Sequence, residues 1–305
     1  MYERLLPMIL ILAVGTAWRH LQPGGIPIGQ VRQVLNTLVV NLLAPAMILG
    51  VFLTAHPDRT LLRVPLAGLL VIAVGLGASL LVFGAMLRAG RLTRPQAGAA
   101  ILAAAFGNGL GAALPVVDSL LGPSAARVPL LYDMFATVVV FWSLGVALAA
   151  WFGGAAVGWR SALVVLRMPP FWATVAALAV NTSGIALPRG LVQTFVVLGQ
   201  ATVPMLLFVV GSTFTLRGLT RLDVLAPVLV IRLGLGLAAG LLAVPLVGLS
   251  GELATATMLV AVAPSVAVGI AISERFKLDS ELFTASLTVT TVLYVLLAPA
   301  LLPRL

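Results

Sequence analysis

Cysteine is absent from this chain of 305 residues, and histidine occurs only as His20 and His56. Without thiols there is no disulfide and no thiolate chemistry, and a metal centre of His and Cys ligands has almost nothing to be built from. Charge is scarce as well. Nine Asp and Glu stand against 18 Lys and Arg, and charged residues make up 9% of the sequence. With 61% of residues hydrophobic, that is too little polar surface to enclose a soluble globule of this length. The same scarcity argues against an enzyme buried in a bilayer, which needs paired intramembrane carboxylates, a serine and histidine placed for attack, or a metal. Asp118 and Asp133 are expected toward one face and both histidines in connections, so no catalytic residue and no cofactor is expected.

The formal net charge of +9 invites a nucleic-acid reading. The arginines, however, stand singly at the ends of apolar runs, with no basic arm and no aromatic-interleaved patch. Loop charges on a membrane protein have this pattern, so the lipid bilayer is the expected partner and nucleic acid is not.

What the sequence holds in abundance is apolar runs. A helix crossing a hydrocarbon core of about 30 Å needs roughly 20 apolar residues. Punctuated by charge, Pro and Gly, the runs predict ten spans at about 4–18, 31–54, 63–87, 96–121, 128–151, 161–180, 190–214, 223–248, 252–274 and 280–302. The first is read as a retained helix rather than a cleaved leader, since it lacks a basic leading region and a small-residue cleavage site. Connections on one side hold Arg19, Arg32, Arg88, Arg91, Arg94, Arg160, Arg167, Arg217, Arg221, Arg275 and Lys277. The other side holds Arg4, Arg59, Arg63, Arg127, Arg189 and Arg304, and the positive-inside rule therefore places both termini outside. Trp151, Trp159 and Trp172 are expected as interface anchors, and the dense cluster from Glu274 to Glu281 as a solvated inner loop.

The runs also repeat. Asn41 stands four residues before Pro45 and Gln200 four before Pro204, an offset of 159 residues, while Gly107-Asn108 matches Pro264-Ser265 at 157. Five spans per copy make the second copy enter from the opposite side, dividing the chain into inverted halves at 1–153 and 159–305. Helix breakers at mid-membrane are tolerated only against protein or a water-filled cavity. The fourth span has them at Gly107-Asn108-Gly109 with Pro115 two turns on, and the ninth at Pro264-Ser265. Two interrupted helices in matching positions point to a binding site where helix N-termini offer free N–H groups to an anion. The candidate solute-binding residues are therefore Asn108, Gly107, Gly109, Pro115, Pro264 and Ser265. Asn108 leads because its amide both donates and accepts. Asn41 and Gln200 are secondary candidates, equally explained as polar glue between helices.

Among charges inside the spans, Asp133 lies about 8 Å from the predicted outer end of the fifth, counted at 1.5 Å per residue. It is a candidate proton carrier or cation ligand, or else an interfacial carboxylate. Asp118 is expected at the interface. Arg232, about 13 Å into the eighth span, is expected to snorkel toward the inner surface, or else to attract an anion or pair with a carboxylate.

The run Asn41-Leu42-Leu43-Ala44-Pro45, the segment Gly107-Asn108-Gly109-Leu110-Gly111 to Pro115, and the stretch from Ala263-Pro264 to Ser273-Glu274-Arg275-Phe276-Lys277-Leu278-Asp279 together resemble the auxin efflux carrier family over nearly the whole chain. The family usually has Asn-Thr-Gly or a similar polar pair where Gly109 directly follows Asn108 here. The resemblance implies an all-α membrane protein of about ten helices in two inverted five-helix repeats, with helices four and nine unwinding and crossing at their prolines. It implies an elevator-type secondary transporter, with helices one, two, six and seven as a supporting panel and the other six as a moving core. Small organic acids are the implied cargo, the inner or plasma membrane the location, and a homodimer a possible assembly. A sodium-coupled symporter of the bile acid type shares the fold and stays open, with the coupling ion either proton or sodium. A membrane sensor or scaffold that binds a solute without moving it is the alternative from another class.

Overall fold

The computed structural model describes residues 2–54, 62–155, 166–185, 187–214 and 220–301. His56, Arg59, Trp159, Arg160, Arg217 and Arg304 lie outside the described residues, as does the predicted start of the sixth span. The described elements are α1 (Tyr2–Leu21), α2 (Ile28–Thr54), α3 (Arg63–Arg88), α4a (Arg94–Ala105), α4b (Gly109–Leu121), α5 (Pro123–Phe152), α6 (Pro169–Ser183), α7 (Arg189–Thr213), α8 (Leu222–Leu246), α9a (Gly251–Ala261), α9b (Gly269–Arg275) and α10 (Ser280–Leu301). No strand occurs among them, and α2, α3, α5, α7, α8 and α10 are each long and apolar enough to cross a bilayer. The protein is an all-α polytopic membrane protein.

Apolar side chains such as Leu6, Leu10 and Val14 of α1 or Leu241, Leu242 and Leu246 of α8 are exposed, as lipid-facing positions require. Element boundaries follow local chemistry. The described helix α6 begins at Pro169, since Pro169 and Pro170 occupy its first turn, where a missing N–H costs nothing. α5 starts earlier than predicted, at Pro123. Two prolines widen the turn before them. Pro45 follows a π turn at Val39–Leu43, and Pro115 follows one at Gly109–Ala113. Each proline lacks the N–H for the usual bond four residues back, and its ring displaces that carbonyl, so the preceding turn relaxes to a wider one.

The helices pack in two groups. α1 lies along the C-terminal half of α7, and the C-terminal half of α2 packs against α6 and the N-terminal half of α7. α3, α4a, α4b, α5, α8, α9a, α9b and α10 pack among themselves around one buried apolar cluster, and a second cluster spans both groups, taking in Leu5 of α1, Ile48 of α2, Ala177 of α6 and Leu207 of α7. In the first group glycine sets the spacing. A Cβ on Gly15 would stand 2.2 Å from the Phe208 carbonyl oxygen, and one on Gly211 2.1 Å from that of Leu12. Thr16 uses this closeness, donating to the Gly211 carbonyl at 2.9 Å.

Gly211→Ala is therefore expected to push α1 and α7 apart and cost about 1–3 kcal/mol. Gly77→Ala, on an open face of α3, is expected to be neutral or slightly stabilising. Melting temperatures in detergent, read by fluorescence-detected size exclusion, distinguish the two.

Candidate functional site

The fourth and ninth spans break at the same depth and repair each other. α4a ends at Ala105, Phe106 is extended, and α4b begins again at Gly109. α9a ends at Ala261 ahead of Pro264, which has no N–H to continue the helix. Between the ends, Gly107 and Ser265 form an antiparallel bridge. The Asn108 N–H donates to the Pro264 carbonyl at 2.7 Å, and the Val266 N–H to that of Phe106 at 3.0 Å. Gly107, Asn108, Gly109, Pro264 and Ser265 are thus brought together. Pro115 stands apart from them inside α4b, where it shapes the helix.

Asn108 is buried and caps α4b, its Oδ1 accepting from the Gly111 N–H at 2.9 Å. Its Nδ2 is buried without a partner. Glycine makes this cap possible, since a Cβ on Gly111 would stand 2.6 Å from that Oδ1. Gly109 makes the same kind of room for Asp133, whose Oδ1 would lie 2.6 Å from a Cβ there. Asp133 is buried in a widened turn of α5 (Asp133–Thr137) and faces the Gly109 and Leu110 N–H groups.

The second half has a counterpart. Thr290 of α10 accepts from the Ser265 N–H at 3.2 Å, and Ser265 Oγ donates to the Ala103 carbonyl at 2.7 Å. Thr290 lies 157 residues after Asp133, the offset that matches Asn108 with Ser265. It was missed in the sequence, although that offset points straight to it. Arg232 differs from expectation. It is 3% exposed, and instead of snorkelling it donates to the carbonyls of Ala105 and Ala261. A side chain with acceptors within reach at mid-membrane has no reason to stretch for water.

The secondary candidates sit elsewhere. Asn41 is exposed and donates to the Thr37 carbonyl of its own helix at 2.8 Å. Gln200, also exposed, lines a cavity of about 650 Å³ between the two helix groups, together with Met47, Leu114, Asp118 and Arg127. Asp118 is half-buried there, in keeping with an interfacial place. The cavity lies at the end of the bundle where α2 stops and α5 starts. At the opposite end a smaller cleft of about 280 Å³ carries Arg19, Arg32, Glu274 and Glu281.

A broken, mutually paired helix couple is tolerated in a bilayer only against protein or a water-filled cavity, and the larger cavity reaches α4b at Leu114 and Asp118 rather than at the crossing itself. The family described as Membrane transport protein, which comprises the auxin efflux carriers, matches residues 1–152 and 155–302. The chain belongs to this family. No curated protein matches it. The family is one of membrane transporters, which is not an enzyme class.

Ser265→Ala in this transporter is expected to leave the Ala103 carbonyl unsatisfied and to cost about 1–3 kcal/mol. Thermal unfolding in detergent checks this, with Thr182→Ala, an exposed hydroxyl bonded within its own helix, as the near-neutral comparison.

Proposed function

We propose that this membrane transport protein is a secondary carrier of a small organic anion, working by alternating access in an inner or plasma membrane. The observation that carries this reading is the Asn108 amide. A buried donor left unpartnered in a bilayer is costly unless something visits it, and this one stands at the N-terminal end of α4b, where the helix field favours negative charge. The solute would be held by Asn108 with the backbone around Gly107, Gly109, Pro264 and Ser265.

The two packed groups support an elevator mechanism, with α1, α2, α6 and α7 as the panel and the crossing helices carried in the other group. With both termini outside, the cavity at Asp118 and Arg127 opens outward and the cleft at Arg19 and Glu274 faces inward. Where α4b meets the panel, Leu110 packs against the apolar cluster of Val39, Leu43 and Ala44, a contact that can slide without breaking a polar bond.

Asp133 supplies the coupling. As a carboxylate it occupies the N–H groups of Gly109 and Leu110 and repels a second anion. Protonated, it loses that charge, so proton and solute anion favour each other's binding, and the linkage is reciprocal.

Counterflow exchange in proteoliposomes loaded with mixed small carboxylates and indole-3-acetate tests the carrier reading. Tracer uptake above protein-free vesicles is the expected outcome, and no exchange, together with no direct binding of any of these anions, would overturn it. Asn108→Asp keeps the cap oxygen for Gly111 but removes the free donor and adds negative charge. It is expected to leave the melting temperature nearly unchanged and to weaken solute binding at least ten-fold, the worth of about 1.4 kcal/mol. Asp133→Asn is expected to retain counterflow yet lose accumulation driven by an imposed proton gradient, measured in the same vesicles.

A further inference from the structure

Arg232 is the one buried charge at the crossing that the carrier reading leaves without a task. It sits in a widened turn of α8 (Val230–Leu235) and is 3% exposed. Among the described residues the ion pair present is Arg221 with Asp223 at the membrane surface, so no carboxylate neutralises Arg232 directly. Its guanidinium donates instead from Nη1 to the Ala105 carbonyl at 3.0 Å and from Nη2 to the Ala261 carbonyl. These are the last residues of α4a and α9a. One side chain therefore reaches the C-terminal ends of both broken helices, one from each half of the chain.

Electrostatics explains why this arrangement is stable. Each helix C-terminus carries roughly half a negative charge on carbonyls that have no partner within the helix. Two such ends converging at mid-membrane repel one another, and together they offset about one guanidinium charge. The planar fork also suits the task, since it presents two N–H groups to two separate carbonyls where an ammonium is a single point charge. Glycine clears the way. A Cβ on Gly236 would stand 3.3 Å from Nη2 and 2.8 Å from the Ala261 carbonyl oxygen. A Cβ on Gly107 would lie 3.5 Å from the guanidinium carbon, so the charge rests directly beneath the strand that leads into Asn108.

We propose that Arg232 is a positioning residue for the solute site: it clamps the two half-helix ends together and so fixes the strands carrying Asn108 and Ser265 relative to each other. It touches backbone and not the solute, and it acts through the geometry of the crossing. The consequence for transport rests on the carrier reading above; the clamp itself does not.

The test separates those two. Hydrogen–deuterium exchange of the purified protein in detergent is compared between wild type and Arg232→Lys, which keeps the charge and loses the fork. Exchange in segments 105–113 and 262–268 is expected to quicken about ten-fold, with α1 and α7 unchanged. Unchanged exchange at the crossing would overturn the clamp, whether or not any solute is ever identified. Should the lysine variant fail to fold, Gly236→Ala retains the arginine and presses a methyl group between it and the Ala261 carbonyl. It is expected to give the same local quickening, and its failure to do so would overturn the proposal equally. For an anion that counterflow shows to be carried, Arg232→Lys is expected to raise the half-saturation concentration about ten-fold while largely sparing the maximal rate. A fall in maximal rate alone, with half-saturation unmoved, is what fewer folded molecules would give, and that result rejects the positioning role.

Discussion

Inside a bilayer a backbone N–H or C=O has no water to turn to, and the centre of this protein is organised around that shortage. Two helices stop midway through the membrane, which exposes carbonyls at two C-termini and N–H groups at two new starts. Each set finds its partner in the other break or in a side chain beside it. The extended residues pair across the bridge of Gly107 and Ser265, Arg232 takes both C-terminal carbonyls, and Asn108, Asp133 and Thr290 face the N–H groups of the restarted segments. Two donors at the crossing, Asn108 Nδ2 and Arg232 Nε, are left without a partner.

The charges around the breaks follow the same logic. A cation lies where helix C-termini converge and a carboxylate lies where a helix starts, so each dipole end meets its opposite. The two halves differ at one point. In the first Asp133 faces the opening N–H groups of α4b, whereas in the second Thr290 accepts from the Ser265 N–H in the extended stretch ahead of α9b.

Small residues make the geometry affordable in space. Gly109 and Gly111 leave room for Asp133 and Asn108, Gly236 for the path of Arg232, and Gly15 and Gly211 for the close contact of α1 with α7. The glycines lie where polar groups or backbones must approach one another. Around them buried apolar clusters fill the space, one of them spanning both helix groups.

Much of this was legible in the residues alone. The apolar runs determine the number and order of spans, because a bilayer admits only helices or closed barrels. Breakers in the fourth and ninth runs determine that both helices are interrupted, because proline and clustered glycine cannot sustain a helix unaided. The repeat offset even locates Thr290 opposite Asp133. Only the tertiary structure decided which groups satisfy which. Arg232 reads in sequence as a side chain bound for the surface, since nothing local reveals that Ala105 and Ala261, 127 and 29 residues away, bring their carbonyls to it. Asn41 reads as a match for Gln200, yet it turns to its own helix while Gln200 meets the cavity. Local chemistry is set by neighbours along the chain, whereas hydrogen-bond partners at mid-membrane are set by which helices cross, and that crossing is a property of the packed whole.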